Sequence, residues 1–256
     1  MKIVVCVKQI ATLGDEVEFT DDGRDIDPDY VEHALNEWDS YATEETLRIR
    51  ERVGGEGEVV VVSVGDEEVE AAMRRCLAMG AERGIRVWSD ELAGADPITV
   101  ARALAGPIRA EEPDLVLAGV QSSDSVQSAT GTALAELLEL PRVAVVTKID
   151  YDYAARRATV RRELEGGLVD VVEVETPALL TIQTGINEPR YATLRAIKQA
   201  EQKEIRVVEP EDLGEPAYHV RRMFVPPKGE GAEILDGSPA EIARRIAEIV
   251  RERLKA

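Results

Sequence analysis

The stretch Asp114-Leu115-Val116-Leu117-Ala118 is a short apolar run, and a loop of small polar residues follows it directly. Such a run is typical of a strand that is buried on both faces of a parallel sheet. The loop reads Gly119-Val120-Gln121-Ser122-Ser123-Asp124-Ser125-Val126-Gln127-Ser128-Ala129-Thr130-Gly131. The apolar spacing predicts a helix over 125–138. A strand, a polar loop and a helix in this order predict one unit of an α/β fold.

Strand patterns and helix patterns alternate on both sides of this unit. We predict strands at 3–7, 58–64, 85–88 and 142–147, and helices at 30–52, 67–79 and from Pro97, with Asp96 as its cap. The stretches 149–160, 163–174 and 178–182 look like antiparallel strands, with a turn at Gly166-Gly167. The alternation predicts an α/β fold with a doubly wound, mostly parallel sheet and some antiparallel strands.

The last quarter of the chain has a different character. Residues 187–237 are charged and weakly periodic, and we expect a loop or an extended arm there. Ser238, Pro239 and Glu241 form the start signal of a final helix, because a serine followed three residues later by a glutamate is a capping box. The apolar stripe of that helix must be buried, either by folding back or by packing on another chain.

The composition excludes several classes of protein. The 256 residues carry a formal net charge of −19, which repels nucleic acid and anionic membrane surfaces. A hydrophobic fraction of 44% is enough for a folded core, and we find no apolar run long enough to span a membrane. Cys6 and Cys76 have no partner motif, so we expect two buried free thiols in a cytoplasmic protein.

The loop 119–131 is the strongest candidate binding site. It lies at the carboxyl end of a predicted parallel strand, where open α/β sheets bind ligands. The free N–H groups and dipole of the following helix suit a phosphate, although Ser123, Asp124 and Ser125 are equally suited to be ordinary helix caps. No glycine fingerprint of a dinucleotide site or P-loop is present. Lys8, at the end of the first strand, either faces the same crevice or is simply exposed.

Catalytic machinery is not visible in the sequence. His33 falls inside the first predicted helix and His219 in the tail, and neither neighbours a nucleophile. No hydrolase motif, paired-carboxylate signature or metal-ligand spacing appears. We therefore expect no catalytic residue and no metal site.

The segment 187–200, which we name the docking segment, presents apolar side chains among charges. Tyr191, Leu194 and Ile197 are spaced to lie on one helical turn face and so to bind a partner. The alternative is an amphipathic turn that packs on its own domain.

Several blocks of the chain, in order, resemble the electron-transfer flavoprotein beta subunit (small subunit). They are Ile3-Val4-Val5-Cys6-Val7-Lys8-Gln9, Cys76-Leu77-Ala78-Met79-Gly80-Ala81-Glu82-Arg83-Gly84, the loop 119–130, Arg162-Glu163-Leu164-Glu165-Gly166-Gly167 and Asn187-Glu188-Pro189-Arg190-Tyr191-Ala192-Thr193-Leu194. The resemblance implies a fold like that of adenine nucleotide alpha-hydrolases. It also implies a nucleotide-binding domain over 1–186, a partner-recognition loop over 187–200, and an arm and helix over 201–256 that pack on an alpha subunit.

The resemblance further implies a structural AMP in the crevice of this chain. The positions that match AMP contacts are Cys6, Asn36, Asp39, Val64, Gly119, Gln121, Ser122, Ser123, Asp124, Ser125, Val126, Gln127, Ser128, Ala129 and Thr130. A redox-active FAD is implied in the alpha subunit, where Leu13, Trp38 and Glu163 of this chain approach it. Electrons are expected to pass from acyl-CoA or other dehydrogenases to a membrane quinone oxidoreductase, with no independent turnover by this subunit.

Two alternatives are similar in fold and differ in function. In electron-bifurcating members a second FAD replaces AMP and NADH is the donor; Gln9 favours that class, whereas Ala11 and Thr12 do not. The other alternative is an ATP-using enzyme or sensor of the nucleotide alpha-hydrolase kind. At the docking segment, Arg195 stands where the family commonly has proline, so the choice of dehydrogenase is left open.

Overall fold

The computed structural model describes residues 1–14, 16–227, 229, 231–232 and 234–254. In chain order the elements are β1 Lys2–Cys6, β2 Gln9–Leu13, β3 Val31–Leu35, α1 Glu37–Arg52, β4 Glu58–Val64, α2 Glu70–Met79, β5 Arg83–Val87, α3 Pro97–Ala110, β6 Leu115–Gly119, α4 Thr130–Leu137, β7 Arg142–Asp152, β8 Arg157–Glu163, β9 Val169–Glu175, β10 Ala178–Ile182, α5 Leu194–Ala200, β11 Ile205–Val208 and α6 Pro239–Leu254.

The described strands form one large sheet and one hairpin. The sheet has the order β11-β5-β4-β1-β6-β10-β7-β8-β9, and β2 pairs with β3 separately. Strands β11 to β7 run parallel, whereas β8 and β9 continue the sheet antiparallel. The predicted mostly parallel α/β sheet is confirmed.

Helices cover both faces of this sheet. Along β1, Ile3 and Val5 belong to the core cluster that contains residues of α1 and α2, whereas Val4 and Cys6 belong to the cluster that contains residues of α3 and α4. Successive side chains of a strand point to opposite faces, so an uninterrupted apolar run is what a strand covered on both faces requires.

The strand order creates a crevice at the carboxyl ends of β1 and β6. The chain runs from β1 to β4 and β5 on one side and then returns to β6 on the other side of β1. The helix after β1 lies on one face and the helix after β6 lies on the other. The backbone therefore diverges between these two strands, which is where open α/β sheets bind ligands.

The prediction of a helix over 30–52 is wrong at its beginning. Residues 31–35 form β3, which pairs with β2 so that Leu13 lies opposite Val31, and α1 begins at Glu37. His33 is consequently in a strand. Val31 and Leu35 are four residues apart, which fits a helix equally well, and only the pairing with β2 decides between the two structures.

Two predictions about the second half of the sheet are also wrong. Residues 178–182 are parallel to their neighbours, because β10 lies between β6 and β7. The predicted bounds 149–160 and 163–174 miss the turn between β7 and β8 at residues 153–156. The turn at Gly166-Gly167 is confirmed, and both glycines have positive φ angles, 73° and 76°.

The helix after β6 begins later than predicted. It starts at Thr130 instead of residue 125, and Val126 and Ser128 both have φ of 51°, which no helical residue adopts. The prediction of loop over 187–237 is wrong for α5 and for β11, which extends the sheet beside β5. The helix α5 has only seven residues, two of them charged, and β11 has only four residues, so their local patterns are weak.

The chain divides into two compact units, 1–223 and 224–256. In the second, the Ser238 N–H donates to Glu241 Oε2 at 2.8 Å and the Glu241 N–H donates to Ser238 Oγ at 3.4 Å, so the predicted capping box is confirmed. The arm and helix predicted over 201–256 include residues 228, 230, 233, 255 and 256, which lie outside the described residues. Within the described ranges, no helix is long and apolar enough to cross a membrane.

Candidate functional site

The crevice at the carboxyl ends of β1 and β6 encloses a cavity of about 350 Å³. Its wall combines the strand ends, the beginnings of α1, α3 and α4, and the loop after β6. Twelve of the predicted nucleotide-contact residues line it: Cys6, Asn36, Asp39, Val64, Gly119, Gln121, Ser122, Ser125, Gln127, Ser128, Ala129 and Thr130. Residues from distant parts of the sequence therefore meet in one place.

Three predicted contacts are not part of this wall. Ser123 and Val126 are exposed, whereas the side chain of Asp124 is only 20% exposed. Asp124 still acts on the crevice, because it accepts a hydrogen bond from Lys8 Nζ at 2.7 Å, and Lys8 does line the cavity. Lys8 therefore faces the crevice, as one of the two predictions had it, and its side chain is also 46% exposed.

Asp39 joins the two strand ends that border the crevice. Its carboxylate accepts the Lys8 backbone N–H at 2.7 Å and the Gly119 backbone N–H at 2.9 Å. Burial raises the pKa of Asp39 to about 7, even though these N–H donors favour the ionised form. Asp39 is therefore held as a structural acceptor, and its charge state changes near neutral pH.

Asn36 has an amide oxygen without a partner. The residue stands at the N-cap of α1, yet its side chain makes no capping hydrogen bond and its Nδ2 instead donates to the Gln121 carbonyl at 2.9 Å. Among the described residues, nothing donates to its buried Oδ1. Buried polar atoms are rarely left unsatisfied, and this oxygen is available to accept a hydrogen bond from a molecule bound in the crevice.

Two glycines keep the crevice compact. A Cβ added to Gly119 would lie 2.6 Å from Trp38 Cβ and against the Asp39 carboxylate, and one added to Gly131 would lie 2.8 Å from Thr181 Cγ2. Only glycine allows α1 to approach β6, and α4 to approach β10, this closely. The loop between them therefore begins and ends at fixed points.

The loop itself is organised by Lys8 and Asp124. Lys8 Nζ also lies 3.2 Å from Ser122 Oγ and 3.3 Å from Ser125 Oγ, and Asp124 accepts the Ser125 N–H at 2.7 Å. Burial raises the pKa of Asp124, but its hydrogen bonds to Lys8 and Ser122 outweigh this and leave the pKa below its usual value. The loop therefore keeps an ion pair beside several hydroxyl groups.

The helix α4 begins without a side-chain cap. Ala129 stands at its N-cap position, and Ala129, Thr130 and Gly131 line the cavity. Free N–H groups and a positive dipole end are available there for an anion. Before it, the exposed Val126 holds a positive φ, which for a β-branched residue is strained and is typical of ligand-binding loops.

The apolar end of the crevice was not predicted from the sequence. This end is lined by Trp88, Leu92, Ala95, Pro97, Val100 and Leu104. Trp88 directly follows β5, and the others belong to the segment that leads into α3 or to that helix. The position of Trp88 at the carboxyl end of a predicted strand was the one signal available.

Cys6 completes the wall as an inert group. Burial raises the pKa of its thiol to about 12, and the Asp39 carboxylate adds to the shift. A thiol that stays protonated at neutral pH is a poor nucleophile. Both cysteines are buried and free, as predicted.

Of the residues predicted near a flavin, Trp38 and Glu163 belong to different elements, α1 and β8, which are connected through Gln183 and β7. Trp38 Nε1 donates to Gln183 Oε1 at 2.9 Å, and the Gln183 N–H donates to the Val146 carbonyl at 3.0 Å. Arg162 pairs with Val146, so Glu163 is the next residue along β8 and is exposed. Leu13 is at the end of the separate β2–β3 hairpin and is also exposed.

The docking segment presents its apolar side chains to solvent. Tyr191 is 98% exposed and Leu194 is 85% exposed, whereas Ile197 is 44% exposed. The helix α5 begins only at Leu194, with the Thr193 hydroxyl as its cap, so Tyr191 lies before the helical turn that was predicted to include it. The alternative prediction was that these side chains pack on their own domain. It is wrong for Tyr191 and Leu194, because both are exposed.

Known proteins are similar in sequence to this chain over all or nearly all of its length. The family model described as electron transfer flavoprotein domain matches residues 26–213. A protein of Methylophilus methylotrophus named electron transfer flavoprotein subunit beta is 46% identical over 98% of each chain. Proteins with the same name from Syntrophomonas wolfei and Bacillus subtilis are 35% and 32% identical; each alignment covers 100% of this chain, and 98% and 99% of the respective relatives. The chain therefore belongs to the electron transfer flavoprotein family, among its beta subunits.

Proposed function

We propose that this chain is one half of a two-subunit electron carrier and binds AMP in the crevice, while an alpha subunit binds a redox-active FAD. The observation that carries the proposal is the crevice, which has an apolar end beside α3 and an N–H-rich end at α4. An adenosine phosphate matches these two ends, because it has a flat apolar base at one end and an anion at the other.

The charge of the protein supports backbone recognition of the phosphate. A net charge of −19 opposes an incoming anion, and the Lys8 side chain is already paired with Asp124. Uncapped N–H groups at the start of α4 and the serine hydroxyl groups of the loop supply local donors instead. The unsatisfied Oδ1 of Asn36 suits a donor such as a ribose hydroxyl or an amino group of the base.

The size of the cavity supports a mononucleotide. Its volume of about 350 Å³ is near the lower end of the roughly 300–1,000 Å³ range of ligand pockets. A dinucleotide such as FAD requires more room than AMP. We therefore assign AMP to the crevice in preference to a second FAD.

Trp38, Glu163 and Leu13 are proposed to face the FAD of the alpha subunit. FAD, when bound, supplies the reversible uptake and release of electrons; this chain shields one side of it and performs no turnover alone. Glu163 is exposed, and a pair between it and a cation on a moving domain would contribute only about 0–1 kcal/mol, which allows the domain to move.

The remaining partners follow from the exposed docking segment and from the final helix. Tyr191, Leu194 and Ile197 are proposed to bind acyl-CoA or other dehydrogenases, which deliver electrons that pass on to a membrane quinone oxidoreductase. The apolar stripe of α6 is proposed to pack on the alpha subunit. We place the complex in the cytoplasm.

Nucleotide extraction from the purified heterodimer tests this proposal. We expect one FAD and one AMP per heterodimer, and no flavin spectrum from the isolated chain. Two FAD per heterodimer would overturn the AMP assignment and support an electron-bifurcating carrier with NADH as donor. ATP hydrolysis by the isolated chain would overturn the carrier function altogether.

A further inference from the structure

The beginning of the docking segment is attached to α1 by polar contacts. Asn187 Nδ2 donates to the Tyr41 carbonyl at 3.0 Å and to Glu45 Oε2 at 3.1 Å. Arg48 Nη2 donates to the Glu188 carbonyl at 3.3 Å. The chain therefore leaves β10 and is held against the helix before it reaches the exposed apolar residues.

Arg190 makes the densest of these attachments. Its Nε donates to Glu44 Oε2 at 2.7 Å and its Nη2 to Glu44 Oε1 at 3.1 Å, which is the bidentate geometry that only arginine provides. The same guanidinium donates to Glu51 through Nη1 at 2.7 Å and Nη2 at 3.2 Å. The Arg190 backbone N–H adds a bond to Glu44 Oε2 at 3.2 Å.

The two acidic partners differ in their surroundings. The side chain of Glu44 is 3% exposed, whereas that of Glu51 is 50% exposed. Glu44 also accepts a hydrogen bond from Arg48 Nε at 2.8 Å, so it keeps one cation if Arg190 is removed. A variant at position 190 is therefore expected to fold, since the buried carboxylate is not left wholly unpaired.

The residues just beyond this attachment carry the proposed dehydrogenase contacts. Tyr191 and Leu194 are almost fully exposed, so packing within this chain does little to fix their positions. Their backbone is held between Arg190 on one side and α5 on the other, where Ala200 is buried. A binding segment that is already ordered loses less conformational entropy when a partner docks.

We propose that Arg190 is a positioning residue, which bridges Glu44 and Glu51 on α1 and thereby holds Tyr191 and Leu194 in the conformation that a partner dehydrogenase binds. This inference rests on the proposed function of the docking segment. It adds that the binding surface is held in place by contacts outside the surface itself. We name the contacts of Arg190 with Glu44 and Glu51 the clamp.

The test uses the heterodimer and an acyl-CoA dehydrogenase that reduces the wild-type carrier. For Arg190→Gln we expect the KM for the carrier to rise about tenfold, which corresponds to about 1.4 kcal/mol, with kcat and flavin content unchanged. Hydrogen exchange of the amides of residues 191–199 should become faster. The KM and the exchange rates of Arg190→Lys should lie between those of wild type and those of Arg190→Gln. Lysine keeps the charge but cannot bridge both carboxylates bidentately.

Two further variants make the outcome unambiguous. Arg157→Gln is the matched control, since it removes an exposed pair with Glu173 between β8 and β9 and no contact of the docking segment, and it should behave as wild type. Glu51→Gln removes one side of the clamp at an exposed carboxylate, so a threefold or so rise in KM is expected even if Arg190→Gln folds poorly.

The results that overturn the inference differ from those that overturn the proposed function. An unchanged KM and unchanged hydrogen exchange in folded Arg190→Gln, or in Glu51→Gln if Arg190→Gln does not fold, would refute the clamp. If that occurs while Leu194→Ala raises the KM, the docking surface remains and only the role of Arg190 is lost. An unchanged KM in Leu194→Ala would remove the docking surface and the inference with it.

Discussion

Asp39 Oδ1 accepts the backbone N–H of Gly119 at 2.9 Å, so a buried carboxylate at the start of α1 is bonded to the last residue of β6. Its other oxygen accepts the Lys8 N–H just beyond β1. The two strands that diverge at the crevice are therefore connected by one side chain, and the position of α1 relative to both is set there.

Asp39→Asn should destabilise the protein and reduce its nucleotide content. An asparagine has one amide oxygen, so one of the two buried N–H groups is left without an acceptor, at a cost of about 1–3 kcal/mol. Urea unfolding at pH 8 and nucleotide extraction measure the two effects. Asp21→Asn, at an exposed turn, is the control and should change neither.

The stability difference between wild type and Asp39→Asn should depend on pH. The folded pKa of Asp39, about 7, lies above its ordinary value of 3.8, so the folded state binds more protons than the unfolded state between these pH values. Ionisation of Asp39 therefore lowers wild-type stability as pH rises from about 4 to about 7. The stability difference between wild type and Asp39→Asn should shrink over that window, and a difference that grows would contradict the assignment.

Gly119→Ala should displace α1 from β6. The added methyl would lie 2.6 Å from Trp38 Cβ, and overpacking of this kind costs about 1–3 kcal/mol. The urea midpoint should fall, and AMP should be lost with it. Gly106→Ala is the matched control: it lies in α3 with no atom near its Cβ, and the same substitution there should raise stability by about 0.5–1 kcal/mol.

Glu111→Gln should reduce stability mainly above pH 5. Glu111 accepts hydrogen bonds from Arg83, Lys2 and Arg206 at the amino ends of the strands, and the Arg83 bonds in particular lower its pKa from 4.5 to about 2. The folded pKa is below the unfolded one, so this stabilisation is fully present above about pH 4.5 and disappears as pH falls through about 2.

The expected loss at pH 7 is about 2 kcal/mol, because one partner of a mostly buried ion pair is neutralised. Urea unfolding at pH 7 and pH 3 measures the change. The difference between wild type and Glu111→Gln should be smaller at pH 3. Glu173→Gln, at an exposed pair, should show little difference at either pH.

Leu194→Ala should weaken electron transfer from a dehydrogenase while flavin content stays unchanged. Leu194 is 85% exposed, so its truncation removes contact area with a partner and little within this chain. Steady-state reduction of the heterodimer should show an increased KM. Loss of flavin would instead show that the residue belongs to the subunit interface. Val207→Ala, also exposed, is the control.

The parts of the fold that were predictable have a local cause. Strands β1, β4 and β6 are unbroken apolar runs, because each is covered on both faces, and the loop after β6 is polar because it borders the crevice. These runs and the loop are contiguous in sequence. Sheet class and the polar side of the candidate site follow from them.

The missed features depend on contacts between distant residues. The β2–β3 hairpin is decided by pairing, and β10 is parallel because it inserts between β6 and β7. The apolar end of the crevice is lined by Trp88, which follows β5, and by residues in α3 and just before it. The bond between Arg190 and Glu44 joins positions 146 residues apart. No local sequence pattern indicates a contact between residues so far apart in the chain.

The helix α1 reaches both of the proposed binding regions. Asn36 and Asp39 at its start belong to the crevice, whereas Glu44 and Glu51, which hold Arg190, lie about 8 Å and about 18 Å beyond Asp39 at a rise of 1.5 Å per residue. Coupling between two binding sites is reciprocal, so a nucleotide that strengthens dehydrogenase docking through this helix is itself retained more tightly, by the same factor, while the dehydrogenase is bound. The carrier would then hold its nucleotide most firmly at the moment when it receives electrons.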